Sequence, residues 1–266
     1  MSVRIVSLNA WGGAMLDPLV EWLPRCDADV ICLQEVTRTP ALGGWTHFDD
    51  GERTLPQRAN LFDDLRAAVP SHQATFVTSD AGPVLDQQGC SHQQDFGLAT
   101  FIHERIPVLG QEASFVHGSF VEHRQWAIAD RPRIAQAVRL VDRATERAVV
   151  VLHVHGLRDP EGKGDTPARR RQAERLVGIL SRMQAPGDLT IVCGDLNLLP
   201  DSETFAILGA RGLVDLVGST DTRTSRYPRS VRHANYLLIS DRDAVKNFEV
   251  LAEPEVSDHR PLVLDL

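Results

Sequence analysis

Apolar residues recur along the chain in short β-branched runs separated by polar breaks. The runs Arg4 to Asn9, Val30 to Gln34, Ala74 to Thr78, Gly97 to His103, Ala135 to Val141, Ala148 to His155, Leu189 to Cys193, Asn235 to Ser240 and Leu262 to Leu264 predict strands. Those within 135–155 predict a hairpin through Asp142-Arg143-Ala144-Thr145, because Asp and Thr favour turns. Helical spacing stands out three times. Thr166-Pro167 supplies an N-cap and a first-turn proline, after which Ala173, Leu176, Val177, Leu180 and Met183 fall on one face. Pro56 to Val69 predicts a second amphipathic helix, and Asp201 to Leu208 a shorter one capped by Asp201 or Ser202. No linker-like segment interrupts the pattern. The expectation is one domain over residues 1–266, with sheets covered by helices in an α/β or α+β arrangement.

Composition refines this only slightly. With 42% hydrophobic and 24% charged residues, the chain is globular rather than fibrous or disordered. Its 266 residues can bury a core without a metal or disulfide staple. No apolar run approaches the roughly 20 residues of a membrane helix. The start, Met1 to Val6, lacks a signal peptide's long apolar stretch, so a cytoplasmic protein is expected. Cys26, Cys32, Cys90 and Cys193 have no zinc-ligand spacing and are expected to be reduced and structural, Cys32 and Cys193 as small core residues. The 28 Lys and Arg against 36 Asp and Glu give a net charge of −8, which weighs against long nucleic acid held by a nonspecific basic surface. No obligate protein partner is evident.

Chemistry-bearing residues concentrate where apolar runs end. Ile5 to Leu8 runs into Asn9, Val30 to Leu33 into Gln34-Glu35, and Leu189 to Cys193 into Gly194-Asp195-Leu196-Asn197; Val256-Ser257-Asp258-His259 precedes the last strand. Each alone reads as turn chemistry. Together these carboxylates, carboxamides and imidazole exceed what turns require. Hard divalent cations take oxygens from one or two carboxylates and leave other positions to water and substrate phosphate. Glu35 and Asp258, with an amide oxygen from Asn9 or Asn197, can supply that shell. No HExxH or zinc-type Cys/His cluster is present, which favours Mg2+, with Mn2+ as the alternative. An imidazole beside phosphate exchanges protons or stabilises developing charge, so the set points to metal-assisted phosphoester hydrolysis.

In order and placement, Asn9, Gln34-Glu35, a histidine ending a middle strand, Gly194-Asp195-Leu196-Asn197 and Ser257-Asp258-His259 resemble the motif series of the endonuclease/exonuclease/phosphatase superfamily, from residue 3 to residue 266. The resemblance implies a four-layer α/β sandwich, two packed mixed β-sheets flanked by helices. It also implies that Glu35 ligates magnesium with Asn9 beside it, that Asp195 positions and activates the attacking water, and that Asn197 holds phosphate oxygens. Asp258 would assist His259 or ligate the metal, and His259 would contact the phosphate and stabilise its transition state. The middle histidine is His155 or His153, which share a strand face. Aligning the valines favours His155, leaving His153 as a substrate-facing or a hydrogen-bonded core residue. One departure is Asn235, where the superfamily commonly has an aspartate bonded to the final histidine. Asparagine can accept that hydrogen bond but cannot stabilise an imidazolium by charge.

Substrate choice lies outside these motifs. Arg223, Arg226, Arg229 and Arg232 crowd the segment before Asn235, and Tyr227 is available to stack, so this stretch is either a clamp for substrate phosphates or a solvated loop. Arg169, Arg170 and Arg171 read as an exposed helix start; Trp11 and His123 to Trp126 read as cleft lining or core; Asp86 to Asp95 reads as a loop before a strand. The expected activity is Mg2+-dependent hydrolysis of a phosphodiester or phosphomonoester by in-line attack of water. A nuclease acting on DNA or RNA, and a non-catalytic phosphate-binding module, are the alternatives.

Overall fold

The structure, a computed structural model, describes residues 3–51, 54–126 and 131–266. In chain order its first half contains β1 (Arg4–Asn9), α1 (Leu16–Trp22), β2 (Val30–Arg38), β3 (Trp45–Asp49), β4 (Thr54–Arg58), α2 (Leu61–Ala68), β5 (His72–Asp86), β6 (Ser91–His103) and β7 (Val108–His117). The second half contains β8 (Arg133–Asp142), β9 (Arg147–His155), α3 (Pro167–Met183), β10 (Leu189–Asp195), α4 (Glu203–Gly209), β11 (Val214–Asp215), β12 (Asn235–Ile239), β13 (Asn247–Val250) and β14 (Leu262–Asp265). One sheet has the order β13-β14-β1-β2-β6-β5-β3-β4, the other β11-β12-β10-β9-β8-β7. Each is mixed: β1 and β2 run parallel in the first, β9 and β10 in the second, and the other pairings are antiparallel.

Side-chain alternation explains the layering. Ile5, Val30 and Cys32 join the core shared with the second sheet, while Val6, Leu8, Ile31 and Leu33 belong to the core under α1 and α2. The second sheet is covered from outside by Leu176 and Leu180 of α3. Strands buried on both faces lose strict alternation, which is why β9 reads as the continuous apolar run Val149 to Leu152. The result is the four-layer sandwich that the motif series implied.

The cysteines are free, and Cys32 and Cys193 are buried in the same core. Cys90 is exposed at a hairpin turn and packs against nothing central.

Three local expectations need correction. Pro56 to Val69 is not one helix: Thr54–Arg58 is strand β4, and α2 begins at Leu61. β4 is an edge strand, where a proline without an N–H is tolerated opposite His47. Asp86 to Asp95 is the turn and second arm of the β5–β6 hairpin; the Asp86 carboxylate accepts from the Gln88 and Cys90 amides and closes it. Arg169 is buried on α3 rather than exposed, donating to the Leu157, Gly162, Gly164 and Asn197 carbonyls, while Arg170 and Arg171 are exposed as expected.

Candidate active site

The parallel pairs bring their polar ends to one rim. Asn9 lies beside Gln34 on β1 and β2, His155 beside Asp195 on β9 and β10, and the Asn9 Nδ2 donates to Asp195 Oδ2 at 3.0 Å, joining the two sheets. Glu35 reaches this rim through a bulge between Leu33 and Val36, where its own φ is +55°. Such a bulge re-aims a side chain that regular pleating would direct elsewhere. Gly194 is required for a different reason. A Cβ there would stand 2.0 Å from the Val154 carbonyl oxygen, and its φ is +135°.

Around Asp195 the groups converge. His155 Nε2 lies 3.7 Å from Glu35 Oε1 and 3.8 Å from Asp195 Oδ2, and His259 Nε2 lies 3.5 Å from the same Asp195 oxygen. The Asn197 amide donates to Asp195 Oδ1 at 3.1 Å. Ser257 ties the C-terminal motif to β1, its hydroxyl donating to the Asn9 carbonyl at 2.6 Å and accepting the His259 amide at 3.2 Å. His259 Nδ1 faces Asn235 Oδ1 at 2.7 Å, while Asn235 Nδ2 donates to the Arg260 carbonyl at 3.1 Å. That orientation makes His259 Nδ1 the donor and leaves Nε2 as an acceptor, which meets Arg223 Nη1. The same Arg223 nitrogen donates to Asp258 Oδ2 at 2.8 Å, and its guanidinium stacks 3.9 Å from the Tyr227 ring centre.

Burial dominates the electrostatics. It raises Asp195 above the usual carboxylate range, opposed by Arg223, Lys163 and the Asn9 bond. It also lowers both imidazoles well below their ordinary value, aided by Arg133 and Arg131 at His155 and by Arg223 and Lys163 at His259. Both rings are therefore neutral near pH 7.

The residues of this rim line a cavity of about 640 Å³. Eight Lys and Arg line it against five Asp and Glu, so the site reverses the sign of the acidic chain. Trp11, Arg223, Arg226, Tyr227 and Arg229 belong to its lining. Arg232 instead pairs with Asp221 at 2.6 Å.

Ligand atoms of Glu35, His155 and Asp195 lie within 4.8 Å of one another, and this set suits a divalent cation: two carboxylates with one imidazole nitrogen. Asn9, also expected as a ligand, donates to Asp195 of this set at 3.0 Å, and Asp258 lies 3.7 Å from His259 Nε2. The Asn9 oxygen accepts the Trp11 amide at 3.0 Å, and Asp258 holds Arg223.

His153 does not reach the cavity. It is buried between the sheets, where Nε2 meets Thr100 Oγ1 at 2.8 Å and Gln136 Oε1 at 3.3 Å, and burial lowers its pKa to about 3. Of the two readings left open for His153, the buried core histidine is the one observed. Asn235 is buried too, so it acts on His259 rather than lining the cavity.

Other cavity residues carry no motif. Arg131, Arg133, Arg158 and Lys163 line it from the entry to β8 and the loop after β9, brought there only by folding. Their one trace in the sequence is Arg131-Pro132-Arg133, two cations immediately before an apolar run. His123 and Trp126 belong to this side: His123 Nε2 lies 3.0 Å from Asp80 Oδ2, and Trp126 packs against Phe48 and Phe96.

Comparison with known proteins agrees with this fold. The chain is 25% identical over 258 residues to the inositol phosphosphingolipids phospholipase C of Schizosaccharomyces pombe, covering 92% of this chain but only 51% of that relative. The chain thus spans about half the length of the curated relative it matches. Its fold matches an endonuclease/exonuclease/phosphatase protein of Bacteroides vulgatus with a TM-score of 0.69 at 18% identity, covering 100% and 98% of the two chains. A mannosyl-6-phosphatase of Bacteroides thetaiotaomicron also gives 0.69, at 15% identity over 99% and 98%. A sequence profile described as the Endonuclease/Exonuclease/phosphatase family matches residues 6–259, which include every strand-end motif described above, and the chain belongs to that family.

Proposed function

We propose that the protein is a Mg2+-dependent phosphoester hydrolase that cleaves a non-polymeric phosphodiester or phosphomonoester by in-line attack of water. The observation that carries this reading is the convergence of Glu35, His155, Asp195 and His259 at the floor of a cationic cavity in an acidic protein. Glu35 and Asp195, with His155, are the groups that would hold the cation, and the imidazole nitrogen among them keeps Mn2+ as an alternative. A cation there would polarise the phosphate and acidify bound water. Asp195 is fixed by Asn9 and the Asn197 amide, so it can orient the water and take its proton without reorganising. Arg223 faces the same space, where it can meet the phosphoryl oxygens as charge develops, while His259 Nε2, an acceptor in this tautomer, can take a hydrogen bond from Arg223 or from water. His155 fills the other flank of Asp195. The resemblance to a phosphosphingolipid phospholipase C supports a diester with a compact headgroup, and a cytoplasmic setting completes the proposal.

The test uses purified protein, Mg2+ and a panel of aryl phosphodiesters, nucleotides, inositol phosphates, phospholipids and nucleic acids. E35Q and D195N are expected to lower kcat/KM on the best substrate by at least ~10³-fold. Near-normal turnover by either folded variant rejects the assignment.

A further inference from the structure

The strand order of the second sheet sets a row along the rim. Asn235 of β12 pairs with Asp195 of β10, Asp195 with His155 of β9, and β8 follows, with Arg133 as its first residue. Arg223 meets His259 on the Asn235 end of this row, so Arg133 and Arg131 stand at the opposite end, across Asp195 and His155.

These two arginines are held unlike the rest. Arg131 donates to both Asp80 oxygens, at 2.8 and 3.2 Å, and its guanidinium lies 4.1 Å from the Phe96 ring centre and 4.8 Å from that of Trp126. The carboxylate that holds it is already shared with His123 and Ser79. Arg133 has no carboxylate within ion-pair distance among the described residues. It is 3% exposed, its Nε has no hydrogen-bond partner among them, and its one side-chain hydrogen bond among them is a 3.4 Å contact from Nη1 to the Pro132 carbonyl.

A buried guanidinium without a carboxylate in contact is poorly compensated, so its place beside an open cavity suits an anion. A void of about 10 Å³ next to Arg133 has room for one water at most. A water there would not neutralise the charge. The acids whose fields reach Arg133 are Asp80, Glu35 and Asp195; Asp80 is paired with Arg131, and in the proposed function the other two are engaged by the cation.

Resting on that function, we propose that Arg133, with Arg131 beside it, forms a second anion subsite, and that the substrate is a phosphoester carrying another anionic group, a phosphate or carboxylate, beyond the scissile phosphate. Arg131 is pre-organised by Asp80 and the aromatic rings, and Arg133 supplies the unpaired donor. The bipolar layout then orients the substrate: the scissile phosphate lies between Asp195 and Arg223, and the second anion points toward β8.

The test compares p-nitrophenyl thymidine 5′-phosphate with the same ester bearing a 3′-phosphate. A parallel arm compares vesicles containing phosphatidylinositol with vesicles containing its 4-phosphate, which separates a soluble source from a lipid one. Preference for the doubly anionic partner, by about tenfold or more in KM, is expected in at least one arm. R133M should remove that ratio and R133K should keep most of it, with melting temperatures showing that both variants fold. No preference in either arm, or an equal loss on both partners in R133M, overturns the subsite. If no ester is turned over, the proposed function fails by itself. The subsite is then read by calorimetry in EDTA as tighter binding of thymidine 3′,5′-bisphosphate than of thymidine 5′-monophosphate, a difference that R133M must abolish.

Discussion

On the Asn235 side of the cavity, Arg223 is balanced inside the site: Asp258 takes its charge, His259 takes a hydrogen bond and Tyr227 lies under its plane. On the β8 side, Arg131 is balanced from behind by Asp80, and Arg133 has no ion pair of its own among the described residues. Partners inside the site can be exchanged for substrate oxygens as a reaction proceeds. Partners behind the site cannot, and they fix a donor in place before substrate arrives. The first wall is thus suited to charge that develops, the second to charge already present on the ligand.

Breaking the second wall at its support should have the largest effect. Burial pushes the Asp80 carboxyl up, but Arg131, His123 and Ser79 outweigh it and hold the group below the usual carboxylate range. A depressed native value stabilises the fold above the unfolded pKa of about 3.9, and the contribution is lost as pH falls through the native one. D80N leaves Arg131 buried without its charge partner and should cost about 3 kcal/mol at pH 7 by urea denaturation. Below about pH 4 the wild type should lose stability faster than D80N, so the two curves converge in acid. Parallel curves would mean that Asp80 is not the anchor of this wall.

The first wall is sharpened by N235D. A carboxylate at His259 Nδ1 would favour the imidazolium and raise its pKa, moving the acid limb of the kcat/KM profile upward by about one pH unit. An unchanged rate and an unchanged profile would show that the Asn235 contact does not govern His259. The smallest effect belongs to R226A. Arg226 is exposed and lies 3.7 Å from Glu255, so kcat/KM should change less than about threefold. A larger loss would extend the first wall to the cavity mouth.

How much was legible follows from where each residue sits. Asn9, Asp195 and His155 end buried apolar runs, and the end of such a run marks a sheet rim even in one dimension. His259 was legible through its Asp258 neighbour and its place before the last strand. The role of Glu35 as a residue after a strand was readable, but not that β2 continues to Arg38 and that a bulge turns Glu35 inward. The partners of Asn9 and Asp258 were hidden for a similar reason. Hydrogen bonds commit the Asn9 oxygen to Trp11 and Asp258 to Arg223, and no spacing rule encodes those partners.

By itself the sequence determined the strands that form the core, the long helix capped at Thr166, and the types of side chain that end at the rim, because hydrophobic periodicity and turn chemistry are local. Tertiary structure decided the rest. It placed His153 between the sheets, buried Arg169 under four carbonyls and brought Arg131 and Arg133 opposite Arg223. Those outcomes depend on which strands become neighbours, and neighbour choice comes from burying two sheets against each other over large sequence separations.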